Sequence, residues 1–321
     1  MKQLQPEGRT KAGAGASFFN ALRRDGSLYI FALPGVLFLL FFCYFPMAGL
    51  VLVFKNYNFR GGIFGSPWAS PLFQNFLFFF NSFDRALRAT RNTVFLNLLY
   101  FGVTTAVSVA LAVMLADIKS RKFVKITQSI MFFPFFISWM AFGSILQSVL
   151  NYNLGTLNKL MVFFGGQRVD FYGNPGYWWA ILVICNVWNQ AGYSSIIYYA
   201  ALTGIDPTYY EAAMVDGAGK WKQITAITLP MLRPTVIMLF MLSLGNMLRG
   251  NLAMIMGLTN LNPALLPVTD IIDVFVYRSG IRSGELAFSS AISLYQSVIG
   301  FILVMVSNSV LRKIDRENAL F

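Results

Sequence analysis

The chain has 321 residues, of which 56% are hydrophobic and only 12% are charged. A soluble domain carries about a quarter charged residues, so this composition excludes an ordinary soluble protein and indicates a polytopic membrane protein. The net charge is +12, but the basic residues lie beside apolar runs, which is typical of membrane topology and not of nucleic-acid binding. The absence of histidine excludes Ser-His catalysis and histidine-ligated metals, and both cysteines lie in apolar runs, which argues against a disulfide framework.

Apolar runs long enough to cross a bilayer occur six times. A spanning helix needs about 20 mostly apolar residues. The qualifying runs are 28–54, 92–116, 128–150, 176–202, 234–258 and 285–311. The sequence therefore predicts an all-α protein with a membrane domain of six transmembrane helices. The domain boundaries that follow are a cytoplasmic N-terminal segment, 1–27, the membrane domain, 28–311, and a cytoplasmic tail, 312–321.

The distribution of Lys and Arg predicts which side each connection faces. The two terminal segments and the connections 117–127 and 203–233 together carry 15 of the 25 basic residues, whereas the opposite connections carry 9 and Arg249 lies within a run. The positive-inside rule therefore places both termini in the cytoplasm. The first run is too long for the apolar region of a cleavable signal peptide, so it is expected to remain as an anchor.

Between the first two runs lies an outer segment, 60–91, that is dense in aromatic residues. Pro67 and Pro71 interrupt any helix there. Amide side chains break the apolar pattern after Pro71. An interfacial segment lying along the outer membrane face is predicted, with a re-entrant segment packed on the bundle as the alternative.

The fourth run carries a polar face. Asn186, Asn189, Gln190 and Tyr193 are spaced i, i+3, i+4 and i+7, so they share one side of a helix, and Trp188 lies close by. Polar side chains within a membrane span usually face a cavity or a partner helix. These five residues are therefore candidates for a substrate path, with hydrogen bonds between helices as the alternative.

The connection 203–233 contains the sequence YEAAMVDGAGKWKQITAITLP. Asp206 followed by Pro207 is typical of a helix start, so a short helix is predicted up to Gly217, where glycine permits a sharp turn. A second helical piece leads to Pro230. This elbow is expected to expose apolar and aromatic side chains to a docked partner, and packing against its own bundle is the alternative. The exposed side chains would be Tyr209, Tyr210, Met214 and Trp221.

This elbow resembles the cytoplasmic EAA loop of ATP-binding-cassette importer permeases of the maltose-importer type. The positions that match at the family's spacing are Glu211, Ala212, Ala213, Gly217, Ile227, Leu229 and Pro230. The C-terminal stretch that begins VYRSGIRSG at Val276 resembles a subgroup for complex-polysaccharide and aldouronate oligosaccharide uptake.

The resemblance implies a type I importer permease fold and a non-enzymatic subunit. In that family the loop forms a coupling helix seated in a cytoplasmic ATPase subunit. The docking residues implied here are Glu211, Ala212, Ala213, Asp216 and Gly217. The chain has no cofactor of its own and lacks a P-loop, so ATP and Mg would be bound by two partner ATPase subunits. A second permease (a different chain is favoured), an extracytoplasmic solute-binding protein and membrane lipid complete the implied partners, in the bacterial cytoplasmic membrane.

The fifth run supplies a second polar face, on which Ser243, Asn246 and Gly250 lie with Arg249 at its edge. A guanidinium within a span needs a partner, and this run contains no acid. An anionic substrate, such as a uronate of the alginate or aldouronate type, could be that partner. Snorkelling of Arg249 to the outer interface is the alternative. Amides and aromatic rings also suit the hydroxyls and apolar faces of sugars.

The predicted function is the permease half of an ATP-driven oligosaccharide importer. A secondary transporter or channel with its own ion coupling is the alternative, but it predicts carboxylates within the spans. Asp and Glu are confined to loops and span ends, with Glu285 at a boundary. A membrane enzyme would need a His or a carboxylate pair, and Asp270 and Asp273 lie in an outer connection without a recognisable partner motif.

Overall fold

A computed structural model describes residues 26–81 and 83–314. Within these residues the regular structure is helical, apart from one isolated bridge between Lys55 and Trp68. The predicted all-α class is confirmed. Five helices are long and apolar enough to cross a membrane, and a bent pair can count as a sixth. Most of the N-terminal segment, 1–25, and most of the tail, 315–321, lie outside the described residues.

The helices are numbered here in chain order. They are α1 (Gly26–Leu39), α2 (Gly62–Gly65), α3 (Gln74–Asn81), α4 (Phe83–Ala116), α5 (Arg121–Phe132), α6 (Trp139–Leu150), α7 (Thr156–Phe163), α8 (Trp178–Thr203), α9 (Thr208–Val215), α10 (Lys220–Gln223), α11 (Leu229–Leu244), α12 (Leu252–Thr259), α13 (Leu266–Thr269), α14 (Ile272–Tyr277) and α15 (Leu286–Ile314). A π-helical turn and a 3₁₀ segment extend α1 to Phe54, and a second π-helical turn, Ile224–Thr228, joins α10 to α11.

The first span, Gly26–Phe54, packs on the bundle through its last part. Leu52 and Val53 are buried there, and this 3₁₀ segment contacts α15. Every residue from 27 to 48 is exposed, including apolar side chains on all sides of the helix. This half of the span therefore offers its surface to lipid or to another subunit.

The main core lies where α4, α8 and α12 meet. Leu96 of α4, Trp178 and Leu182 of α8, and Met254 and Leu258 of α12 belong to one buried cluster. A smaller cluster joins α4 and α8 to α11 near the opposite end. Close van der Waals packing of these large side chains helps to hold the helices together, because lipid is as apolar as the core and gives burial little driving force of its own.

The third span differs from the straight helix predicted over 128–150. It begins at Arg121, continues through a 3₁₀ extension of α5 (Phe133–Phe136), and bends by 93° before α6 starts at Trp139. Pro134 supplies the local reason, because proline cannot donate the backbone hydrogen bond that a continuing helix needs. Ser138 then caps α6 by accepting from the N–H of Ala141 at 3.3 Å.

The fifth span begins and ends earlier than predicted. It runs from Lys220 to Leu244, so the prediction of 234–258 is wrong, and the second half of the predicted loop 203–233 is helix. Lys220 and Lys222 lower the local hydropathy without opposing a helix, because lysine is a good helix former. Beyond Leu244 the chain is non-helical over 245–251 before α12 begins.

The outer segment 60–91 is divided between two structures. Its first part contains α2, α3 and an irregular stretch around Pro67 and Pro71, whereas residues 83–91 are the first turns of α4. The second span therefore starts earlier than predicted. Lys55, which is only 5% exposed, ties the irregular part together. Its ammonium donates to the carbonyls of Phe64 and Ser66 and lies 5.0 Å from the centre of the Trp68 ring.

Candidate functional site

The elbow contains a short helix, α9, with defined ends. At its start, Asp206 Oδ1 accepts from the N–H of Thr208 at 2.9 Å, and this hydrogen bond lowers the pKa of Asp206. At its end, Gly217 has a φ of 77°. The N–H of Gly217 donates to Met214 O at 3.1 Å and the N–H of Ala218 donates to Ala213 O at 2.8 Å. These two bonds form a Schellman cap, which explains why glycine is needed at position 217.

One side of this elbow is free of contacts with the chain. The predicted docking residues Glu211, Ala212, Asp216 and Gly217 are exposed, and Ala213 is half-buried. Val215 is 88% exposed and Trp221 is 77% exposed. A cluster of small, acidic and apolar side chains is therefore available to another protein.

The opposite side of the elbow is bonded to the bundle. The hydroxyl of Tyr210 lies 3.0 Å from Thr228 Oγ1, in the π-helical turn, so the prediction that Tyr210 faces the cytosol is wrong. Lys220 forms an ion pair with Asp117, at the end of the second span, at 2.6 Å. The elbow therefore packs against its own bundle on one side and leaves its other side exposed, and docking of a partner there stays a prediction.

A second site lies where the fifth span stops. The non-helical residues 245–251, called here the interruption, border a cavity of about 560 Å³. The lining residues are Asn97, Tyr100, Asn186, Ser243, Asn246, Met247, Arg249, Gly250, Asn251 and Leu252. Four of the predicted path residues, from the fourth and fifth runs, are thus brought together.

Sequence reasoning missed the contribution of α4 to this cavity. Asn97 is an amide inside the second apolar run, and that signal alone could have marked it. Tyr100 follows three residues later, on the same face of α4. Asn251 was also missed, because the predicted continuous helix hid the interruption.

The interruption is held by side chains from three other helices. Asn97 Nδ2 donates to Met247 O at 2.8 Å and to Arg249 O at 2.9 Å. Gln296 Nε2 donates to Leu248 O at 2.8 Å, and the N–H of Gly250 donates to Asp273 Oδ2 at 2.5 Å. Non-helical backbone at membrane depth is tolerated only where such partners exist or where it borders a cavity.

Arg249 lies in this interruption and not in a helix, which corrects its predicted setting. Its side chain is exposed to the cavity, and Nη2 donates to Ser297 Oγ of α15 at 3.3 Å. Asp273 is close enough to interact electrostatically with Arg249, although its oxygen is bonded to the Gly250 N–H. The guanidinium thus keeps donors directed to the cavity.

The rest of the predicted path face on α8 packs against the bent third span. Asn189 is 2% exposed, and its Nδ2 donates to Pro134 O at 2.8 Å at the bend. Gln190 donates to Asn189 Oδ1 at 2.8 Å. Asn189 therefore bonds to the bend and Gln190 bonds to Asn189, and neither side chain lines the cavity at the interruption.

The two aromatic path candidates also lie outside the cavity. Trp188 stacks on Phe142 with ring centres 4.7 Å apart, and Tyr193 stacks on Phe135 at 4.7 Å. Both rings stay partly exposed, at 44% and 41%. They remain candidates for a path surface shared with another subunit. Asn186, by contrast, lines the cavity and donates to Thr104 Oγ1 at 3.1 Å.

Asp270 has a structural role in the connection between α12 and α15. It is fully buried, 3.4 Å from an Arg278 nitrogen and 3.7 Å from an Arg88 nitrogen. Burial raises the pKa of Asp270, and the two guanidinium groups oppose that shift. Asn92 of α4 also donates to the backbone carbonyls of Pro267 and Asp270. This cluster anchors the connection between α12 and α15 on the second span.

Comparison with known proteins identifies the family of this chain. Residues 108–317 match the family described as binding-protein-dependent transport system inner membrane component. This stretch covers more than half of the chain and includes both α9 and the interruption. The chain belongs to this family. The resemblance carried by the EAA-type loop is confirmed.

The permease has relatives that align over nearly its whole length. The polygalacturonan/rhamnogalacturonan transport system permease protein YteP of Bacillus subtilis (strain 168) is 34% identical over 290 residues, which are 90% of this chain and 89% of YteP. Protein LplB of the same bacterium is 34% identical over 307 residues, which are 95% of each chain.

A solved structure shares the fold. A crystal structure of a bacterial ABC transporter involved in the import of the acidic polysaccharide alginate aligns with a TM-score of 0.83 at 31% identity, covering 93% of this chain and 99% of that chain. The permease therefore has the predicted importer-permease fold, and it is an inner-membrane component of the sugar-importing type of ABC transporter.

Proposed function

We propose that this permease forms half of the translocation path of an ATP-driven importer for acidic, uronate-containing oligosaccharides. The observation that carries the proposal is the cavity at the interruption, where Arg249 meets the amides of Asn97, Asn186, Asn246 and Asn251. A guanidinium binds a carboxylate through paired donors, and amides both donate to and accept from hydroxyls. The alginate transporter and YteP, both named for uronate polymers, support an acidic cargo.

The motion driven by ATP hydrolysis would be transmitted to this permease through the elbow. Glu211, Ala212, Ala213, Asp216 and Gly217 form the exposed surface proposed to dock an ATPase subunit. Two such subunits would bind ATP and Mg, and this chain would need no cofactor of its own. Tyr210 bonds to the helix 220–244, which ends at the interruption. Movement of the elbow would therefore reach the cavity along one continuous helix.

The proposed assembly contains a second permease, favoured to be a different chain, and a solute-binding protein outside the membrane. A solved alginate transporter in complex with an alginate pentasaccharide-bound periplasmic protein matches this chain with a TM-score of 0.81 at 31% identity and supports the second partner. Exposed apolar side chains over residues 27–48 fit lipid or the second permease. The proposed location is the cytoplasmic membrane, with both termini inside.

Uptake of an acidic oligosaccharide by the reconstituted importer tests this function. Replacing Arg249 by Ala removes a charge-assisted contact worth about 1.5–3 kcal/mol, so uptake of trigalacturonate at low concentration is expected to fall roughly 10- to 100-fold. The matched control is Arg168→Ala, which removes an exposed arginine outside the cavity and should leave uptake unchanged.

Two results would contradict the proposal. Unchanged uptake of trigalacturonate by the Arg249→Ala importer would exclude the acidic cargo path. Uptake that persists without the ATPase subunits and follows an ion gradient would favour the alternative, a secondary transporter or channel.

A further inference from the structure

The interruption is the only non-helical stretch among the described cavity-lining residues, and it carries Arg249. Breaking a helix frees backbone carbonyls and N–H groups that need new partners. Three side chains supply them: Asn97 of α4, Asp273 of α14 and Gln296 of α15. These three residues are called here the clasp.

We propose that Asp273 is a positioning residue that fixes Arg249 for binding a substrate carboxylate, acting through the clasp. This inference rests on the proposed function, because Arg249 is the group that would meet the sugar. Asp273 itself does not line the cavity. It acts on the backbone that flanks Arg249.

The clasp holds the chain on both sides of Arg249. Gln296 Nε2 donates to Leu248 O at 2.8 Å and to Asp273 Oδ2 at 3.2 Å, so one amide links the residue before Arg249 to the carboxylate. The same carboxylate oxygen accepts from the N–H of Gly250, the residue after Arg249, at 2.5 Å. Residues 248–250 are thus held by one closed network, which limits the directions that the guanidinium can take.

Close packing reinforces the network at Gly250. A Cβ at this position would lie 2.3 Å from Ile271 Cδ1 and 3.3 Å from Asp273 Oδ2. A larger residue at position 250 would therefore require the Ile271 side chain to shift. The interruption therefore rests directly on the connection that carries Asp273.

The charge of Asp273 gives this residue a second role besides support of the backbone, which is to orient the Arg249 guanidinium. Burial raises the pKa of Asp273, while the hydrogen bonds from Gly250 and Gln296 and the nearby Arg249 charge oppose that shift. A neutral amide oxygen could accept the Gly250 N–H without the cost of burying a charge. A carboxylate at this point also attracts the guanidinium, so it orients Arg249 as well as the backbone.

A double-mutant cycle on the purified importer complex tests this role. The probes are trigalacturonate and its fully methyl-esterified form, which keeps the sugar skeleton but has no charge. Asp273→Asn is expected to weaken trigalacturonate binding about 10-fold, as befits loss of about 1.4 kcal/mol, and to change ester binding by less than about twofold. In an Arg249→Ala background the same substitution should have little further effect on the acid, because the group that it positions is gone.

The outcomes separate this inference from the function on which it rests. Equal loss of acid binding in both backgrounds, or equal loss for acid and ester, would show that Asp273 acts on stability alone and would overturn the inference. Unchanged acid binding by Arg249→Ala itself, or no binding of the acid by the unmodified complex, would overturn the proposed function as well.

Two further variants distinguish a selective loss of acid binding from a loss of folded complex. Gln296→Leu removes the clasp residue that joins Leu248 to Asp273 and should reproduce the selective loss of acid binding. Asp270→Asn is the second variant. The Asp270 carboxylate lies three residues from Asp273 and contacts Arg88 and Arg278. This substitution should lower the amount of folded complex and leave the ratio of acid to ester affinity unchanged, and a changed ratio would contradict the assignment to Asp273.

Discussion

Single residues decide how the elbow turns. Gly217 adopts a left-handed conformation because its N–H and that of Ala218 close a Schellman cap on α9. A Cβ at position 217 would meet no described atom of this chain within 4 Å. We therefore expect any steric need for glycine beyond the backbone conformation to come from a docked partner.

Replacing Gly217 by Tyr tests that need. The left-handed backbone costs a non-glycine residue about 1–2 kcal/mol, and a docked ATPase would also collide with the ring. We expect the six-span fold to survive while transport coupled to ATP hydrolysis is lost. Co-purification of the ATPase subunits and uptake per ATP hydrolysed are the measurements.

The chain contains a matched control for this substitution. Gly165 closes an equivalent Schellman cap on α7, has a φ of 82° and also meets no atom within 4 Å. Gly165→Tyr carries the same backbone strain on the predicted outer side. It should keep its ATPase subunits and coupling, and normal transport by Gly217→Tyr would refute the docking proposal.

At the scale of elements, the helix from Lys220 to Leu244 connects the two sites. It begins within the elbow, contains the π-helical turn Ile224–Thr228, and ends at the interruption. π-Helical turns frequently occur at functional sites within helices. The hydroxyl contact between Tyr210 and Thr228 is the direct hydrogen bond from α9 to this helix among the described side chains.

Removing this contact should loosen coupling without abolishing docking. Tyr210→Phe keeps the ring and deletes a hydrogen bond worth about 1 kcal/mol. We expect normal binding of the ATPase subunits and a lower number of sugars carried per ATP. Thr228→Val should have the same effect, and the double variant should be no worse than either single one.

Tyr209→Phe is the control, because the Tyr209 side chain is 53% exposed on the adjacent position of α9. It should leave the ratio of sugar to ATP unchanged. If all four variants carried as many sugars per ATP as the unmodified permease, the motion of the elbow would have to reach the fifth span through another contact.

At the scale of the whole molecule, the proposed orientation places the two capped turns on opposite sides of the membrane. Val215 beside Gly217 is 88% exposed, and Phe164 beside Gly165 is 81% exposed. Cysteine at either position would therefore react readily with a soluble thiol reagent. The exposed Cys43 would first be replaced by Ser.

A membrane-impermeant maleimide added to intact cells should label Phe164→Cys and not Val215→Cys. After the cells are opened, both should react at comparable rates. Labelling of Val215→Cys in intact cells would reverse the orientation inferred from the distribution of Lys and Arg.

The sequence by itself determined the helical class, the number of hydrophobic runs and the family. These follow from local features: the length of apolar runs, the spacing around Glu211 and Gly217, and the turn chemistry at Asp206 and Pro207. Such features need no distant contact to be recognised, because propensity, capping and hydrophobic length act over a few neighbouring residues.

Only the tertiary structure decided where the membrane helices break and what their polar residues do. Asn189 and Asn186 lie three positions apart on one helical face, yet one caps the bend at Pro134 and the other lines the cavity. Arg249 looked helical because the stretch around it is apolar, but Asn97 and Gln296 satisfy a non-helical backbone there. The physical reason is that a freed backbone group or a buried amide takes its role from its partner, and these partners lie about 50 to 150 residues away along the chain.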